Sequence, residues 1–147
     1  MTQLLQAEFA SIPDLIHQHA LEAPARRALV EGSHTMDYAA LDGMMNRVAA
    51  SLQRDGLKPG DAIAICAATS VDYAAVFLGA LRAGVVVAPL APSSTPDSLK
   101  RMVTDASAKL VFTDASCASL VGPQDMTTAT GALARIALDG STAGVSL

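Results

Sequence analysis

The stretch that decides the fold runs from residue 52 to residue 92 and reads LQRDGLKPGDAIAICAATSVDYAAVFLGALRAGVVVAPLAP. It predicts the end of a helix, a tight turn, a buried strand at 62–67, a buried helix at 71–83 and a second buried strand at 85–90. Parallel neighbouring strands need a long crossover, which a helix usually provides. The order therefore predicts a β-α-β unit in a mostly parallel sheet.

The residues before this unit add two helices and a hairpin. Ser11 is a suitable N-cap for a helix over about 11–22, with Pro13 in its first turn. Gly32-Ser33 is a suitable turn for a short N-terminal hairpin. An amphipathic helix over 38–54 follows, because its apolar residues step by three and four.

The residues after the unit continue the α/β pattern. Thr95-Pro96-Asp97 opens another helix, and a third parallel strand is predicted at 109–113. Weaker signals predict further elements, namely a helix near 115–120, a helix near 127–133 and a strand at 134–138. We expect a mostly parallel α/β subdomain over 1–138 with helices on both faces of its sheet, and a linker over 139–147.

Composition narrows the class of protein. The chain is 147 residues long, 51% hydrophobic and 16% charged, with a formal net charge of −4. Such an apolar excess favours strands that are covered on both faces. It also fits a piece of a larger body whose neighbour covers part of the surface. The ten Lys and Arg residues are scattered, which argues against nucleic acid as a partner.

One apolar run approaches the length of a membrane span. It extends from Tyr73 to Ala91 and is interrupted by Arg82, Gly84 and Pro89. A helix that ends near the glycine, followed by a β-branched strand, accounts for all three interruptions. We therefore expect no membrane span.

A search for catalytic motifs finds none. The sequence contains no GxxxxGK[ST], GxGxxG or GxSxG pattern, so it predicts no phosphate loop and no nucleophile elbow. His17 and His19 are two residues apart on a helix and point in different directions. We interpret both as surface or half-buried histidines, and His34 as a solvated hairpin residue. No metal site is predicted.

Two hydroxyl-rich loops are the best candidates for a binding site. Thr69-Ser70 and Ser93-Ser94-Thr95 each follow a parallel strand and precede a helix. Open α/β sheets bind ligands at that edge, and helix N-termini attract anions. The simpler interpretation is that Ser70 and Thr95 are N-caps and the other hydroxyls fill the loops. Contact with the rest of the protein or with its ligand is the alternative hypothesis.

Other reactive side chains give no site from sequence. Asp105 and Asp114 are interpreted as helix-end or loop carboxylates, and the Met44-Met45 pair as core packing. Cys66 and Cys117 form no CxxC motif, and a buried strand is a usual place for a free thiol. Two free thiols favour a reducing, cytoplasmic location.

Several short motifs follow one another in a distinctive order along the chain. They are Asp37-Tyr38-Ala39-Ala40-Leu41-Asp42, Asn46-Arg47-Val48-Ala49, Gly56-Leu57-Lys58-Pro59-Gly60-Asp61, Ser70-Val71-Asp72, Leu81-Arg82-Ala83-Gly84-Val85, Pro89-Leu90-Ala91-Pro92 and Asp105-Ala106-Ser107-Ala108-Lys109-Leu110-Val111. The set covers about residues 10–140. It resembles the N-terminal segment of the AMP-forming adenylating enzymes, the superfamily of acyl-CoA synthetases, luciferases and peptide-synthetase adenylation domains.

Three positions depart from the family pattern. Ala40 replaces a Glu, Thr69 stands where Asn is common, and Ala62 stands where a basic residue often follows Gly-Asp. These changes are expected to weaken local capping and surface pairing without affecting chemistry.

The resemblance implies an activity for the parent protein. Such an enzyme activates a carboxylic acid, for example a fatty or aromatic acid, with ATP, giving acyl-AMP and pyrophosphate. It then transfers the acyl group to a thiol, most often that of coenzyme A. Mg²⁺ would offset the phosphate charge. A homodimer is compatible with the resemblance.

The family's phosphate loop, its adenine and ribose contacts and its C-terminal Lys find no match in this sequence. We therefore expect an N-terminal portion that is inactive alone, and nominate no catalytic, cofactor-binding or metal-ligating residue. Two alternatives are a complete, non-catalytic binding or interaction module derived from the family, and an unrelated small α/β protein with convergent patterning.

Overall fold

A computed structural model of the chain describes residues 9–120, 127–128, 131–132 and 134–138. Helices lie at Ile12–Glu22 (α1), Tyr38–Arg54 (α2), Val71–Arg82 (α3) and Pro96–Asp105 (α4). Strands lie at Arg27–Glu31 (β1), His34–Asp37 (β2), Ala62–Cys66 (β3), Val86–Pro89 (β4), Ala108–Thr113 (β5), Thr127–Thr128 (β6), Gly131–Ala132 (β7) and Ala134–Ala137 (β8).

The central sheet is parallel and has the strand order β4-β3-β5-β8. Strands β1 and β2 form a separate antiparallel hairpin, which confirms the predicted turn at Gly32-Ser33. Gly32 adopts φ +57°, a conformation that favours glycine. The predicted α/β class with a mostly parallel sheet and an N-terminal hairpin is confirmed.

Alternate residues of the strands supply two separate cores. On one face, Ile63, Ile65 and Phe112 pack against the apolar sides of α2 and α3. On the other face, Ala64 and Val111 pack against α4 and the turn after β5. All five residues of β3 are buried, because helices cover both faces of the sheet at its centre.

Each of the four helices begins at a side-chain N-cap, as the sequence predicts for α1, α2, α3 and α4. The caps are Ser11, Asp37, Ser70 and Thr95, and each side chain accepts a hydrogen bond from the backbone N–H three residues later. Ala40 stands where the family pattern has a Glu that would complete a capping box with Asp37. Asp37 still caps α2, because its carboxylate accepts the N–H of Ala40 at 2.8 Å.

Two weaker predictions are wrong. Residues 115–120 form turns rather than a helix: the Asp114 carboxylate and carbonyl accept N–H groups as at the start of a helix, but the segment is too short to continue into one. The helix expected near 127–133 is replaced by strands β6 and β7, which pair antiparallel. Consecutive threonines and Gly131 disfavour a helix there.

The strand predicted at 134–138 is confirmed as β8, which pairs with β5. The predicted linker 139–147 lies outside the described residues. Within the part of the chain that the structure describes, no helix combines the length and apolar character needed to cross a bilayer.

Candidate functional site

The hydroxyl loops lie where the sequence places them, at the carboxyl ends of β3 and β4. Thr69 and Ser93 are exposed, and Ser70 and Ser94 are half-buried. Doubly wound sheets bind ligands at this edge. The contacts of each loop decide whether its polar groups are available to a ligand.

The N-terminus of α3 is already occupied by groups of the chain itself. The Ser70 hydroxyl accepts the N–H of Tyr73 at 3.1 Å, and the Glu31 carboxylate accepts the N–H of Val71 at 2.9 Å. A carboxylate at a helix N-terminus is favoured by the helix dipole. Hairpin residue Glu31 thus takes the position that an anion would take, and the sequence offers no signal of this long-range contact.

The N-terminus of α4 is capped locally. The Thr95 hydroxyl accepts the N–H of Ser98 at 3.3 Å and lies 3.0 Å from the Ser98 hydroxyl. Capping therefore accounts for Ser70 and Thr95, as the simpler interpretation predicts. Contact of either loop with a ligand stays a hypothesis.

Capping by Ser70 makes a modest, measurable prediction. We expect Ser70→Ala to lower the free energy of unfolding by about 1 kcal/mol, because the Tyr73 N–H loses its acceptor. Ser93→Ala is the matched control, since Ser93 is an exposed loop hydroxyl. Urea titration followed by circular dichroism measures both variants. Equal stability of the two would contradict the capping role.

Asp114 is a contact point that the sequence does not reveal. One carboxylate oxygen accepts the N–H of Ala68 at 2.8 Å, and the other accepts the N–H of Cys117 at 3.1 Å and the Ser116 hydroxyl at 2.5 Å. Burial raises the pKa of Asp114, but the hydrogen bonds from Ser116, Ala68 and Cys117 outweigh it and lower the pKa overall. The sequence places Asp114 in a loop, which is correct, but gives no sign of its partner 46 residues away.

The two cysteines lie beside this loop and are free and buried, as expected for Cys66. Burial, together with the neighbouring Cys117 thiol, raises the pKa of Cys66 to about 12. A thiol held protonated in this way is a poor nucleophile. Both cysteines belong to the apolar core on the α4 side of the sheet.

The histidines form no metal site. His17 is exposed and lies 3.2 Å from the Asp42 carboxylate, whereas His19 stacks on Tyr38 with ring centroids 4.7 Å apart. His34 is exposed at the start of β2. No group of three or more His, Cys, Asp or Glu side chains among the described residues could hold a metal ion.

A shallow surface cavity of about 370 Å³ lies beside His17, where residues of α1, α2 and α3 meet. Arg82 closes one side of it and donates to the carbonyl oxygens of Pro13 and Asp42, to the Asn46 side chain and to the Asp42 carboxylate. These contacts tie α1, α2 and α3 together, so the polar groups of Arg82 beside the cavity serve the packing of the helices.

The motif Gly56-Leu57-Lys58-Pro59-Gly60-Asp61 directly precedes β3, so it lies at the amino edge of the sheet, opposite the hydroxyl loops. The Asp61 carboxylate accepts the N–H of Lys58 at 2.7 Å and pairs with the Lys109 ammonium at 2.8 Å. The side-chain hydrogen bond from Lys109, followed by the N–H of Lys58, lowers the pKa of Asp61. Asp61 thus has a cationic partner in Lys109, although this chain has Ala62 where the family pattern often has a basic residue.

The described residues do not fit ATP, Mg²⁺ or coenzyme A by themselves. Two of the N–H groups that could bind a phosphate at α3, those of Val71 and Tyr73, are held by Glu31 and Ser70. At the carboxyl edge, the Asp114 carboxylate accepts a backbone N–H of a neighbouring loop and the Thr95 hydroxyl accepts one of its own helix. The arrangement can position loops, and no reaction step follows from it.

Comparison with known proteins identifies the family of the chain. The model of the AMP-binding enzyme family matches residues 16–143. The chain belongs to this family. The expected resemblance to the N-terminal segment of adenylating enzymes is therefore confirmed.

Two curated relatives illustrate the range of the family. The chain is 33% identical over 102 residues to a linear gramicidin synthase of Brevibacillus parabrevis, covering 69% of this chain and 2% of that protein. It is 32% identical over 105 residues to an oxalate–CoA ligase of Arabidopsis thaliana, covering 70% of this chain and 20% of the ligase. The chain thus spans a fifth or less of these relatives.

Solved structures of the family share the fold. The N-terminal domain of FACL13 from Mycobacterium tuberculosis superposes with a TM-score of 0.73 at 28% identity, covering 77% of this chain and 29% of that domain. A fatty acyl-adenylate ligase from L. pneumophila, solved with acyl adenylate and pyrophosphate, gives 0.76 at 27% identity and covers 95% of this chain and 25% of the ligase. The chain corresponds to one part of a larger adenylate-forming fold.

Proposed function

We propose that this chain is the N-terminal α/β portion of an ATP-dependent, AMP-forming acid–thiol ligase that transfers its acyl group to coenzyme A. The family match over residues 16–143 carries the proposal. In this proposal the subdomain over 1–138 forms a wall of a larger catalytic domain and 139–147 leads to the ATP-binding region. The contacts at the carboxyl edge agree with this proposal, because the polar groups there hold loops in place.

There are two candidates for the acceptor thiol, because the relatives include both CoA ligases and peptide synthetases. An oxalate–CoA ligase and a fatty acyl-CoA synthetase favour coenzyme A. The gramicidin synthase and a nonribosomal peptide synthetase favour a carrier-protein thiol as the second candidate. We propose coenzyme A, with a fatty or aromatic carboxylic acid as substrate and ATP with Mg²⁺ as cofactors.

The two buried free thiols support a reducing, cytoplasmic location. A homodimer is a proposal that size-exclusion chromatography with light scattering tests directly.

Pyrophosphate exchange tests the activity. The full-length protein is incubated with ATP, Mg²⁺, labelled pyrophosphate and a panel of short, long and aromatic carboxylic acids. We expect acid-dependent exchange in the full-length protein and none in the 147-residue chain, which lacks the phosphate loop motif. Adding coenzyme A or a phosphopantetheinylated carrier protein, with mass detection of the thioester, separates the two acceptors. Exchange by the 147-residue chain alone, or none in the full-length protein, would refute the proposal.

Exposed apolar side chains give a second test. Phe9 is 88% exposed and Val86, on edge strand β4, is 53% exposed, with further large apolar residues exposed at Ile12, Leu21 and Val30. If the rest of a larger domain covers such residues, the isolated chain should bind the dye ANS and the full-length protein should bind less per molecule. A monomeric chain that does not increase the fluorescence of ANS would favour a self-contained, non-catalytic module.

A further inference from the structure

The sheet reverses its winding at the boundary between β3 and β5. From β3 the chain passes through α3 to β4 on one side, and from β4 it passes through α4 to β5 on the other side. Helix α3 packs on one face of the sheet and α4 on the opposite face. The loop after β3 leads to α3 on one face, whereas the turn after β5 packs through Cys117 on the face that α4 covers, so the two diverge. In doubly wound sheets a ligand-binding crevice opens at this point.

In this chain the Asp114 carboxylate bridges that crevice. Asp114 follows β5 directly, and its Oδ2 accepts the N–H of Ala68, in the loop after β3, at 2.8 Å. Its Oδ1 accepts the N–H of Cys117 at 3.1 Å, and Cys117 is fully buried against the α4 side of the sheet. One carboxylate thus joins the loop that turns toward α3 to the turn that packs toward α4.

The bridge is chemically strong for a contact near the surface. Hydrogen bonds to an ionised carboxylate are stronger than those between neutral groups, and Asp114 is half-buried. Ala68 and Thr69 themselves are exposed and pack little. Beyond the Cys66–Thr113 pair that ends the β3–β5 ladder, the carboxylate therefore ties the β3–α3 loop to the end of β5.

We infer that Asp114 is a positioning residue, which holds the loop 67–70 at a fixed distance from β5 so that Thr69 is presented at the ligand edge of the sheet. The role in the reaction rests on the proposed adenylate-forming function. Asp114 touches neither substrate nor cofactor in this inference and acts through the loop.

Amide hydrogen exchange tests the bridge in the 147-residue chain. Asp114→Ala removes both acceptor oxygens. Asp114→Asn keeps the size of the side chain but leaves one acceptor, and serves if the alanine variant unfolds. Asp105→Ala is the matched control, an exposed carboxylate at the end of α4. In Asp114→Ala we expect the Ala68 amide to exchange at least about tenfold faster than in the wild type. In Asp114→Asn, which keeps one acceptor, we expect the same acceleration at the Ala68 amide or at the Cys117 amide. Neither amide should change in the control.

Kinetics in the full-length protein test the positioning role. We expect Asp114→Asn to lower kcat/KM for acid-dependent pyrophosphate exchange by about tenfold at a temperature well below the thermal midpoint of every variant, with Asp105→Ala unaffected. Unchanged Ala68 and Cys117 exchange overturns the bridge. Faster exchange with normal kcat/KM overturns the positioning role. If the wild-type protein is inactive with every acid, the proposed function fails and the role in the reaction fails with it, while the amide result still decides the bridge.

Discussion

Gly79→Ala is expected to lower the free energy of unfolding by about 2 kcal/mol, although alanine is the better helix former. A Cβ at Gly79 in α3 would lie 2.6 Å from Cβ and 2.8 Å from Cγ1 of Val48 and 3.1 Å from the carbonyl oxygen of Met45, both in α2. These atoms are backbone or next to it, so no flexible side chain can move aside. The two helices would have to separate, which would open the core that they share.

Gly43→Ala is the matched control for this prediction. Gly43 also lies inside a helix, but the nearest atom to its added Cβ is the end of the flexible Arg47 side chain at 3.7 Å. The same substitution should therefore be neutral or stabilise the chain by up to about 1 kcal/mol. Urea unfolding measures both variants under identical conditions. Destabilisation of equal size at both positions would show that helix separation is not the cause.

The parallel sheet could be predicted because its signal is local. A buried strand, a capped helix and a second buried strand follow one another within 62–90, and each boundary carries its own residue type. Ser70 marks the start of α3, and Gly84, with φ +71°, marks its end. The structure confirms the position of all three elements to within two residues. The predicted burial of the second strand is wrong, because β4 lies at the edge of the sheet and leaves Val86 and Pro89 exposed.

The weaker predictions failed where local signals were poor. In 115–120 the alanines favour a helix and Asp114 accepts N–H groups as an N-cap does, but the segment is too short to continue into a helix. In 127–133 the spacing of apolar residues is compatible with either helix or strand, and the two threonines decide for strand.

The contacts that organise the candidate site could not be predicted, because they join distant residues. The carboxylate of Glu31 reaches the N–H of Val71, 40 residues away, and Asp114 reaches Ala68 across 46 residues. Each acid is unremarkable in its own segment, one at the end of a hairpin strand and the other after a buried strand. Only the fold brings an acid to a helix N-terminus or to a winding reversal.

Arg82 is another residue whose long-range contacts could not be predicted, and its substitution is the second with a large expected effect on the free energy of unfolding. In the sequence it serves as an interruption that argues against a membrane span. In the structure its guanidinium makes four hydrogen bonds, two of them to Asp42, and the side chains of Arg82 and Asp42 are only 17% and 14% exposed. We expect Arg82→Ala to lower the free energy of unfolding by about 3 kcal/mol, because it leaves a largely buried carboxylate without its cation.

A matched arginine provides the control. Arg54 also ends a helix beside an aspartate, but its side chain is 67% exposed and its nitrogen lies 3.5 Å from Asp55. We expect Arg54→Ala to change the free energy of unfolding by less than about 1 kcal/mol. Arg82→Lys should lose part of the wild-type stability, since one ammonium cannot reproduce the planar fork of donors. Similar stability of Arg82→Ala and Arg54→Ala would refute the structural role of Arg82.

The same contact predicts a dependence on pH. Burial raises the pKa of Asp42, but the hydrogen bonds from Arg82 and then His17 outweigh it and hold the pKa below its ordinary value of 3.8. A carboxyl whose pKa is lower in the folded state stabilises the fold above its unfolded pKa and loses this contribution as pH falls through the folded value. The difference in unfolding free energy between wild type and Asp42→Asn should therefore be constant near neutral pH and shrink below about pH 4. Urea titrations from pH 7 to pH 3 measure it, and a difference that grows on acidification would mean that the Asp42 carboxylate does not stabilise the contact between α1, α2 and α3.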